Sequence, residues 1–353
     1  MKTIEIKENE LTKIFCSSNP KNIEFYQNID INSYPFYEPL DNTFCIFTSI
    51  NKTLLLIYSK IFYTIITYDI KNFKKINETK NAHNNEITNF RHYSDSYNKR
   101  DLIISISDRD NNIKLWDVKN FECLLNLVNI YTSGIINSAC FLNINKELYI
   151  ITSHNLDTHN NKIEPNKVFD LKGKNIKKIK DSNINTFFID IYYNKNINKN
   201  YIITGNYRLC RSYDYTNNKI YHKYNDIEND SSKHYSLITY KDNKIVKLID
   251  SARLFIIRIW NFDSGKLLQK IDIKQKISGI CLWNDKYLFI GYTGNTMKLL
   301  EINTGKKVKD FKSNSNMGQK TIKKIIHPIF GECLISQSED ERMNLWINKK
   351  LFY

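Results

Sequence analysis

The sequence predicts an all-β chain that folds as a seven-bladed β-propeller of four-stranded antiparallel blades, with the ring closed by an N-terminal strand. Three observations predict this fold. Short runs rich in β-branched and aromatic residues alternate with turn residues, no stretch shows helical periodicity of convincing length, and the pattern of runs repeats along the 353 residues.

Seven short segments mark the repeat, and each ends a strand-like run with an aromatic or apolar residue followed by a polar one. They are TYDI (67–70), LWDV (115–118), VFDL (168–171), SYDY (212–215), IWNF (259–262), LLEI (299–302) and LWIN (345–348). Successive copies lie 40 to 53 residues apart. This spacing is typical of a unit of four short strands.

Four such runs can be read in each complete unit. In the second unit they are ITNFRHY, DLIISIS, IKLWDV and CLLNLV; in the fourth, TFFIDIYY, YIITG, LCRSYDY and KIYHKY; in the sixth, ISGICLW, YLFIG, MKLLEI and KKVKDF. One four-stranded sheet leaves its faces uncovered, whereas seven sheets around an axis cover one another and leave only short edges.

The seventh unit shows only three runs, IKKIIHP, ECLISQS and MNLWIN, before the last residue, Tyr353. We expect KNIEFYQNI (21–29) to supply the missing fourth strand and close the ring. The expected organisation is therefore an N-terminal segment, residues 1–40, that includes the closing strand, and one propeller domain, residues 41–353, with seven blades.

A nearly continuous apolar stretch, residues 54–70, was compared with a membrane span. It contains Lys60, is shorter than the roughly 20 residues that a spanning helix needs, and is rich in β-branched and aromatic residues. We therefore expect two buried strands that turn at Ser59 and Lys60, and no membrane span.

The first residues and the cysteines indicate the compartment. MKTIEIKENELTK has no apolar core of the signal-peptide type. The cysteines are dispersed and never form a C-x-x-C pair, which favours reduced thiols and gives no zinc framework; they are Cys16, Cys45, Cys123, Cys140, Cys210, Cys281 and Cys333. A cytoplasmic location is expected, with the nucleus as the alternative.

The formal net charge of +15 would favour acidic partners such as nucleic acid. Asn, Ile and Lys are all abundant, however, as expected from an AT-biased genome, and basic charge of that origin is a poor sign of a nucleic-acid partner. A nucleic-acid partner is therefore possible but not favoured.

The second unit resembles a WD40 repeat. Residues 105–117 read SISDRDNNIKLWD and follow NAHNNEI, where Ala82-His83 stand at the usual Gly-His of that family. The next best matches are SQSEDERMNLW in the last unit and RIWNFDSGKLL around Trp260, although Arg253 to Phe255 stand where an Asp turn is expected, and the first, third, fourth and sixth units lack the Trp. The resemblance implies a hydrogen-bonded structural tetrad formed by His83, Ser105 or Ser107, Asp110 and Trp116.

No catalytic residue, metal site or cofactor is predicted, and the protein is expected not to be an enzyme. A Ser-His-Asp hydrolase is not favoured, because a nucleophile needs exposure and an oxyanion site and no G-x-S-x-G occurs. His154, Asp157 and His159 are interpreted as a flexible polar loop rather than metal ligands. The densest basic run is interpreted as an outer strand whose lysines protect its edge rather than as an anion site; it comprises Lys172, Lys174, Lys177, Lys178 and Lys180.

The WD40 resemblance implies a non-catalytic scaffold that recruits or organises other proteins or peptides in a larger complex. In that family, partners commonly dock on the face built by the loops between second and third strands. The candidate contact residues carried over to this chain are Arg109, Tyr207, Arg208, Arg253 and Glu339. The alternative is a ribonucleoprotein subunit that uses its basic surface. The oligomeric state and the role of residues 1–20 stay open.

Overall fold

The structure is a computed structural model, and it describes the residues in fourteen segments of the chain. These residues are 23–29, 44–60, 63–72, 74–107, 111–132, 134–155, 163–206, 209–225, 234–242, 245–252, 255–292, 296–312, 319–338 and 343–348.

Seven four-stranded antiparallel sheets form the blades of a β-propeller, as the sequence predicts. The first six blades each take four consecutive strands. They are β2 (Phe44–Thr48), β3 (Leu54–Lys60), β4 (Thr64–Asp69) and β5 (Lys74–Thr79) in blade 1; β6 (Ile87–Asp95), β7 (Arg100–Ser107), β8 (Asn112–Asp117) and β9 (Glu122–Val128) in blade 2; β10 (Ile135–Ile144), β11 (Glu147–Asn155), β12 (Lys167–Asp170) and β13 (Asn175–Lys178) in blade 3; β14 (Thr186–Asn194), β15 (Lys199–Asn206), β16 (Cys210–Asp214) and β17 (Lys219–Tyr224) in blade 4; β18 (His234–Asp242), β19 (Ile245–Ala252), β20 (Ile256–Asn261) and β21 (Leu267–Asp272) in blade 5; β22 (Ile277–Trp283), β23 (Tyr287–Tyr292), β24 (Thr296–Glu301) and β25 (Lys307–Lys312) in blade 6.

Blade 7 combines the two ends of the described chain. It contains β26 (Gln319–His327), β27 (Gly331–Ser338) and β28 (Met343–Asn348), and its fourth strand is β1 (Ile23–Ile29). β1 runs antiparallel to β28, with Ile23 opposite Asn348 and Ile29 opposite Met343. The first strands of neighbouring blades contact each other in chain order, and β26 contacts β2.

The second strands of the blades are continuous apolar runs in the sequence because both of their faces are buried. In β7, Leu102 and Ile104 belong to a buried cluster shared with blade 3, whereas Ile103, between them, belongs to a cluster shared with blade 1. Side chains alternate between the two faces of a strand, and here both faces are covered by a neighbouring blade. Each fully buried side chain of this kind contributes about 1.5 to 3 kcal/mol.

The seven marker segments all lie on or at the end of the third strands of the blades. The turn expected at Ser59 and Lys60 is misplaced, however. Both residues still pair with the next strand, Ser59 with Ile65 and Lys60 with Thr64. Ser and Lys are frequent in turns, but here the ladder of β3 and β4 includes both residues. Among the described residues, no helix is long and apolar enough to cross a membrane.

Antiparallel order gives the propeller two distinct ends. The hairpins that join first to second and third to fourth strands lie together, and this end is called the hairpin face. The connections between second and third strands and between successive blades lie at the opposite end, called the loop face. The outer strand β13 and its flanks place Lys172, Lys174, Lys178 and Lys180 in solvent, which agrees with an edge protected by charge.

Candidate functional site

A hydrogen-bonded triad crosses blade 2. Trp116 donates its indole N–H to Ser105 Oγ over 2.8 Å, and Ser105 Oγ lies 2.6 Å from His83 Nε2. The indole can only donate, so Ser105 Oγ is its acceptor, and the imidazole tautomer sets the direction of the bond between Ser105 and His83. Burial lowers the pKa of His83 to about 3, which keeps the ring neutral. The triad therefore ties the entry of the blade to its second and third strands.

Ser107 and Asp110 are the other two residues of the predicted tetrad. Ser107 is buried, and its hydroxyl has no partner among the described residues. Ser105 is thus the serine at the centre of the network. Asp110 lies outside the described residues. His83 Nδ1 is also without a partner in the described part of the chain, which leaves room for Asp110 as its acceptor. Ser105 is fully buried, so it cannot meet a substrate.

Blade 7 repeats the Trp–Ser bond of this network, whereas blade 4 has different hydrogen bonds. In blade 7, Trp346 donates to Ser336 Oγ over 2.8 Å. In blade 4, Ser212 Oγ lies 3.0 Å from the hydroxyl of Tyr224, which donates to the carbonyl of Phe262 in blade 5 over 2.9 Å. Tyr224 lies on an outer strand, so no marker segment points to it. The blade-to-blade bond was not foreseen for that reason.

Blade 3 holds a buried cluster at the loop face that sequence reasoning missed. His154 is not a loop residue: it ends β11, is fully buried, and stacks on Tyr131 with ring centroids 4.0 Å apart. Burial lowers the pKa of His154 to about 4. Asp157 and His159 lie outside the described residues. No cluster of three potential metal-binding side chains occurs in the described ranges.

A partly buried ion pair joins two residues of this cluster. Glu164 lies 2.6 Å from the ammonium of Lys167 and accepts hydrogen bonds from the amide and hydroxyl of Thr132. These partners outweigh desolvation and lower the pKa of Glu164 to about 2. Lys167 also donates to the carbonyl of Ile130 and lies 4.5 Å from the ring centroid of Tyr131. The cluster thus joins the entry of blade 3 to its second and third strands.

The predicted contact residues belong to connections between second and third strands, at the loop face. All five lie outside the described residues; they are Arg109, Tyr207, Arg208, Arg253 and Glu339. Their contact role stays a prediction.

The hairpin face carries a concave surface over blades 2 to 4. One cavity of about 900 Å³ lies between the blades, and a neighbouring cavity of about 620 Å³ shares Tyr93, Asn143 and Lys146 with it. The larger one is lined mainly by aromatic, amide and lysine side chains; they include Tyr93, Phe141, Asn143, Lys146, Lys177, Tyr193, Asn198, Asn200 and Tyr215. We call this surface the hairpin-face concavity. Its walls combine apolar area with polar groups that can orient a ligand.

Hydrogen bonds between blades hold the walls of the hairpin-face concavity. Asn143 donates to the hydroxyl of Tyr93 over 2.5 Å, and Asn200 donates to the carbonyl of Asn143 over 3.1 Å. Blades 2, 3 and 4 are thereby linked in series. Lys177 donates to the carbonyl of Tyr215 over 2.5 Å and lies 4.0 Å from that ring centroid. A preformed wall loses little conformational entropy when it binds.

A tight turn places one lysine at the rim. Asn145 and Lys146 connect β10 and β11 with φ of 50° and 72°, the left-handed pair that a two-residue hairpin needs. The ammonium of Lys146 lies 5.9 Å from the ring centroid of Tyr97, whose side chain is 73% exposed. An aromatic ring and a cation therefore stand together in solvent beside the cavity.

The same face is rich in exposed apolar side chains. They belong to the first-to-second hairpins of blades 2, 4, 5 and 7, and are Tyr97, Tyr193, Ile197, Ile245, Ile326 and Ile329. Scattered single residues of this kind are common on any protein. Tyr97, Tyr193 and Ile197 belong to blades 2 and 4, which help form the hairpin-face concavity, whereas Ile245, Ile326 and Ile329 lie on blades 5 and 7.

The central channel contains charged and thiol side chains of the first strands. Arg91, Cys140, Asp190 and Lys323 each lie opposite an isoleucine of the second strand, so they hold equivalent positions in four blades. They line, with Cys45, a cavity of about 330 Å³. Burial raises the pKa of Cys45 to about 12, so this thiol is protonated and a poor nucleophile.

The blades, their hydrogen bonds and their closure define the class of the protein as a seven-bladed β-propeller, and the geometry is consistent with repeats of the WD40 type. No model of a known protein family matches the chain, and no curated protein matches it either.

Proposed function

We propose that this protein is a non-catalytic interaction scaffold that docks other proteins or peptides, and that the hairpin-face concavity is its docking surface. Propellers present rigid loops around a closed ring and commonly serve as binding platforms. One observation carries the proposal: a wall of aromatic, amide and lysine side chains, bonded across three blades, lies beside exposed Tyr97, Tyr193 and Ile197.

The chemistry of this surface favours a peptide segment as the partner. Tyrosines give large contact area at a low entropic cost and are frequent among residues that dominate binding energy. Asn198 and Asn200 offer amide groups that can pair with a peptide backbone, and Lys146 supplies a cation at the rim. A cytoplasmic location, with the nucleus as the alternative, belongs to the same proposal; imaging the tagged full chain tests it.

The docking surface is tested by affinity purification of the full chain from native extract, followed by binding measurements with each co-purified partner. The hairpin-face variant is Tyr97→Ala with Ile197→Ser, and its matched control is Leu124→Ser on outer strand β9, which is also an exposed apolar position. We expect the partner to lose at least about tenfold in affinity with the first variant, as removal of a dominant contact does, and to bind the control normally.

The competing loop-face site is tested in the same experiment with Arg109→Ala and Glu339→Ala. Loss of the partner in these variants alone would overturn the assignment to the hairpin face while leaving the scaffold role intact. A chain that retains no protein above the level of a scrambled control would overturn the scaffold role itself.

A further inference from the structure

The excess positive charge of this protein is concentrated in one part of the ring. Residues 263–327 contain 13 lysines and five acidic residues, so they carry eight of the 15 net positive charges. Compositional drift alone would spread lysines along the chain. The described part of this segment covers the last strand of blade 5, blade 6 and the start of blade 7.

Several of these lysines meet at the loop face between blades 5 and 6. Lys274 and Lys276 stand in the connection from β21 to β22, and Lys298 donates to the side chain of Gln275 in the same connection over 2.8 Å. Lys312 lies opposite Thr296 in the sheet. Thr296 and Lys298 are two residues apart on β24, so their side chains lie on the same face of that strand. We call Lys274, Lys276, Lys298 and Lys312 the blade 5–6 patch.

Two acidic side chains lie near this patch, and neither forms an ion pair with a lysine of the patch among the described residues. Asp272 accepts the backbone N–H of Lys274 over 3.1 Å. Asp310, opposite Lys298 in the sheet, pairs with Lys307 at 2.7 Å. Lys274, Lys276 and Lys312 have no ion pair among the described residues. The patch therefore keeps a local positive field that an anion could neutralise.

An exposed aromatic ring borders the patch. Phe255 is 42% exposed, and its carbonyl accepts the backbone N–H of Ile273, the neighbour of Lys274, over 2.6 Å. Its φ of 57° is unfavourable for a bulky residue. The ring of Phe255 is thus exposed to solvent beside the lysines. A smaller residue would adopt this backbone conformation with less strain.

A buried polar group lies beneath the patch. Tyr292 is 2% exposed and ends β23, and its hydroxyl has no hydrogen-bond partner among the described residues. The ammonium of Lys298 lies 4.6 Å from the ring centroid of Tyr292. Buried hydroxyls usually have a partner, so Tyr292, which has none among the described residues, is a candidate donor to a ligand of the patch.

We propose that the blade 5–6 patch binds single-stranded nucleic acid, with a base stacked on Phe255 and the phosphates held by Lys274, Lys276, Lys298 and Lys312. Single-strand binders combine a basic track with aromatic rings on which bases stack. A duplex offers no free base face to stack on the exposed ring of Phe255, whereas a single strand does. The activity is additional to protein docking, which uses the other end of the propeller.

The test is fluorescence anisotropy of a labelled 12-nucleotide oligouridylate with the full chain over a series of KCl concentrations. Four phosphate contacts predict a slope of log K against log salt of about −3, and Lys274→Ala with Lys276→Ala reduces its magnitude by about 1.4. Phe255→Ala lowers affinity about 5- to 150-fold, which is the loss of one stacked base, and leaves the salt slope unchanged.

Two control variants separate this site from general charge and from the docking surface. Lys172→Ala with Lys174→Ala removes the same charge from exposed positions of blade 3, and Tyr97→Ala removes an exposed ring from the hairpin face. Both should bind the oligonucleotide as the unaltered chain does. Equal weakening by the lysine control would overturn the site.

Inorganic polyphosphate and a duplex of the same sequence complete the test. We expect polyphosphate to bind with a similar salt slope but with no dependence on Phe255, and the duplex to bind at least about tenfold more weakly than the single strand. Unchanged oligonucleotide affinity in Phe255→Ala would overturn the nucleic-acid assignment and leave a surface for polyanions in general. Neither result depends on whether the hairpin face docks a protein.

Discussion

Arg258 and Asp250 face each other inside blade 5, with Nη1 4.0 Å from Oδ2 and both side chains almost fully buried. They are opposed in neighbouring strands, at the positions that Lys114 and Ser105 occupy in blade 2. Trp260, which corresponds to Trp116, has no partner for its indole nitrogen among the described residues. Blade 5 has thus exchanged the serine that accepts the indole proton for a buried charge pair.

Removing one member of this pair should be severely destabilising. Asp250→Ala removes the carboxylate that faces the buried guanidinium, and we expect a loss of about 3 to 5 kcal/mol in the free energy of unfolding. The double variant Asp250→Leu with Arg258→Met replaces both charges with apolar groups and should recover most of that loss. Urea unfolding of the three proteins measures both effects; a double variant no better than the single one would contradict the explanation.

The indole of Trp116 is predicted to contribute both packing and one hydrogen bond. Trp116→Ala should lose about 3 to 5 kcal/mol as a truncation in the core. Trp116→Phe keeps much of the packing but leaves Ser105 without its donor, for a smaller loss of about 1 to 3 kcal/mol. Arg109→Ala should change stability by less than about 0.5 kcal/mol. Thermal unfolding compares them, and equal losses in Trp116→Ala and Arg109→Ala would refute the structural role.

Stability should fall as the solution is acidified from neutral pH. Burial lowers the pKa of His83 to about 3 and that of His154 and His327 to about 4. The unfolded chain binds these protons near its ordinary pKa of about 6.5. The stabilisation is therefore complete above about pH 6.5 and is lost as the pH falls toward 4, by up to about 4 kcal/mol per pH unit for three protons.

The variant His83→Gln tests how much one histidine contributes to the pH dependence of the unfolding free energy. It should reduce the slope of unfolding free energy against pH by about 1.4 kcal/mol per pH unit in the same window. The reason is that the unfolded variant binds one proton fewer than the unfolded wild-type chain. Urea midpoints at several pH values from 7.5 to 5 provide the measurement. A wild-type curve that is flat over this range would show that these rings become charged without unfolding.

The closing strand should be separable from the rest of the ring. Deleting residues 1–29 removes β1 and exposes the backbone edge of β28, and we expect a lower melting temperature together with self-association through that edge. A synthetic peptide of residues 21–30 added in excess should reverse both changes. The matched control deletes residues 1–20 only and keeps β1; a melting temperature lowered equally in that control would argue against β28 pairing as the cause.

The architecture could be predicted because its cause is local and repeated. Runs such as LIISI in β7 are apolar at every position, since both faces of the strand are covered, and the Trp116 marker recurs in weaker form on every third strand. Side-chain alternation and turn residues therefore carry the blade pattern without any knowledge of the ring.

The hydrogen bonds between blades could not be predicted in this way. Tyr224 donates a hydrogen bond to the carbonyl of Phe262 in the next blade. Tyr131 precedes the first strand of blade 3 and stacks on His154, which lies in the second strand of that blade. Such pairs depend on how neighbouring sheets pack, and the periodicity of apolar residues in the sequence does not predict that packing. The hairpin-face concavity was missed for the same reason, because Tyr93, Asn143 and Tyr215 stand in three different units. The expectation of a loop-face site came from the WD40 resemblance alone.

The pairing of Ile23 with Asn348 sets an order of events during synthesis. β1 leaves the ribosome first, whereas β28, its hydrogen-bonding partner, is among the last strands to emerge. The earlier six blades can assemble as they appear, but the seventh cannot be completed until β28 has been synthesised. Throughout that interval β1 lacks its hydrogen-bonding partner, so the nascent chain exposes the edges of an unpaired strand.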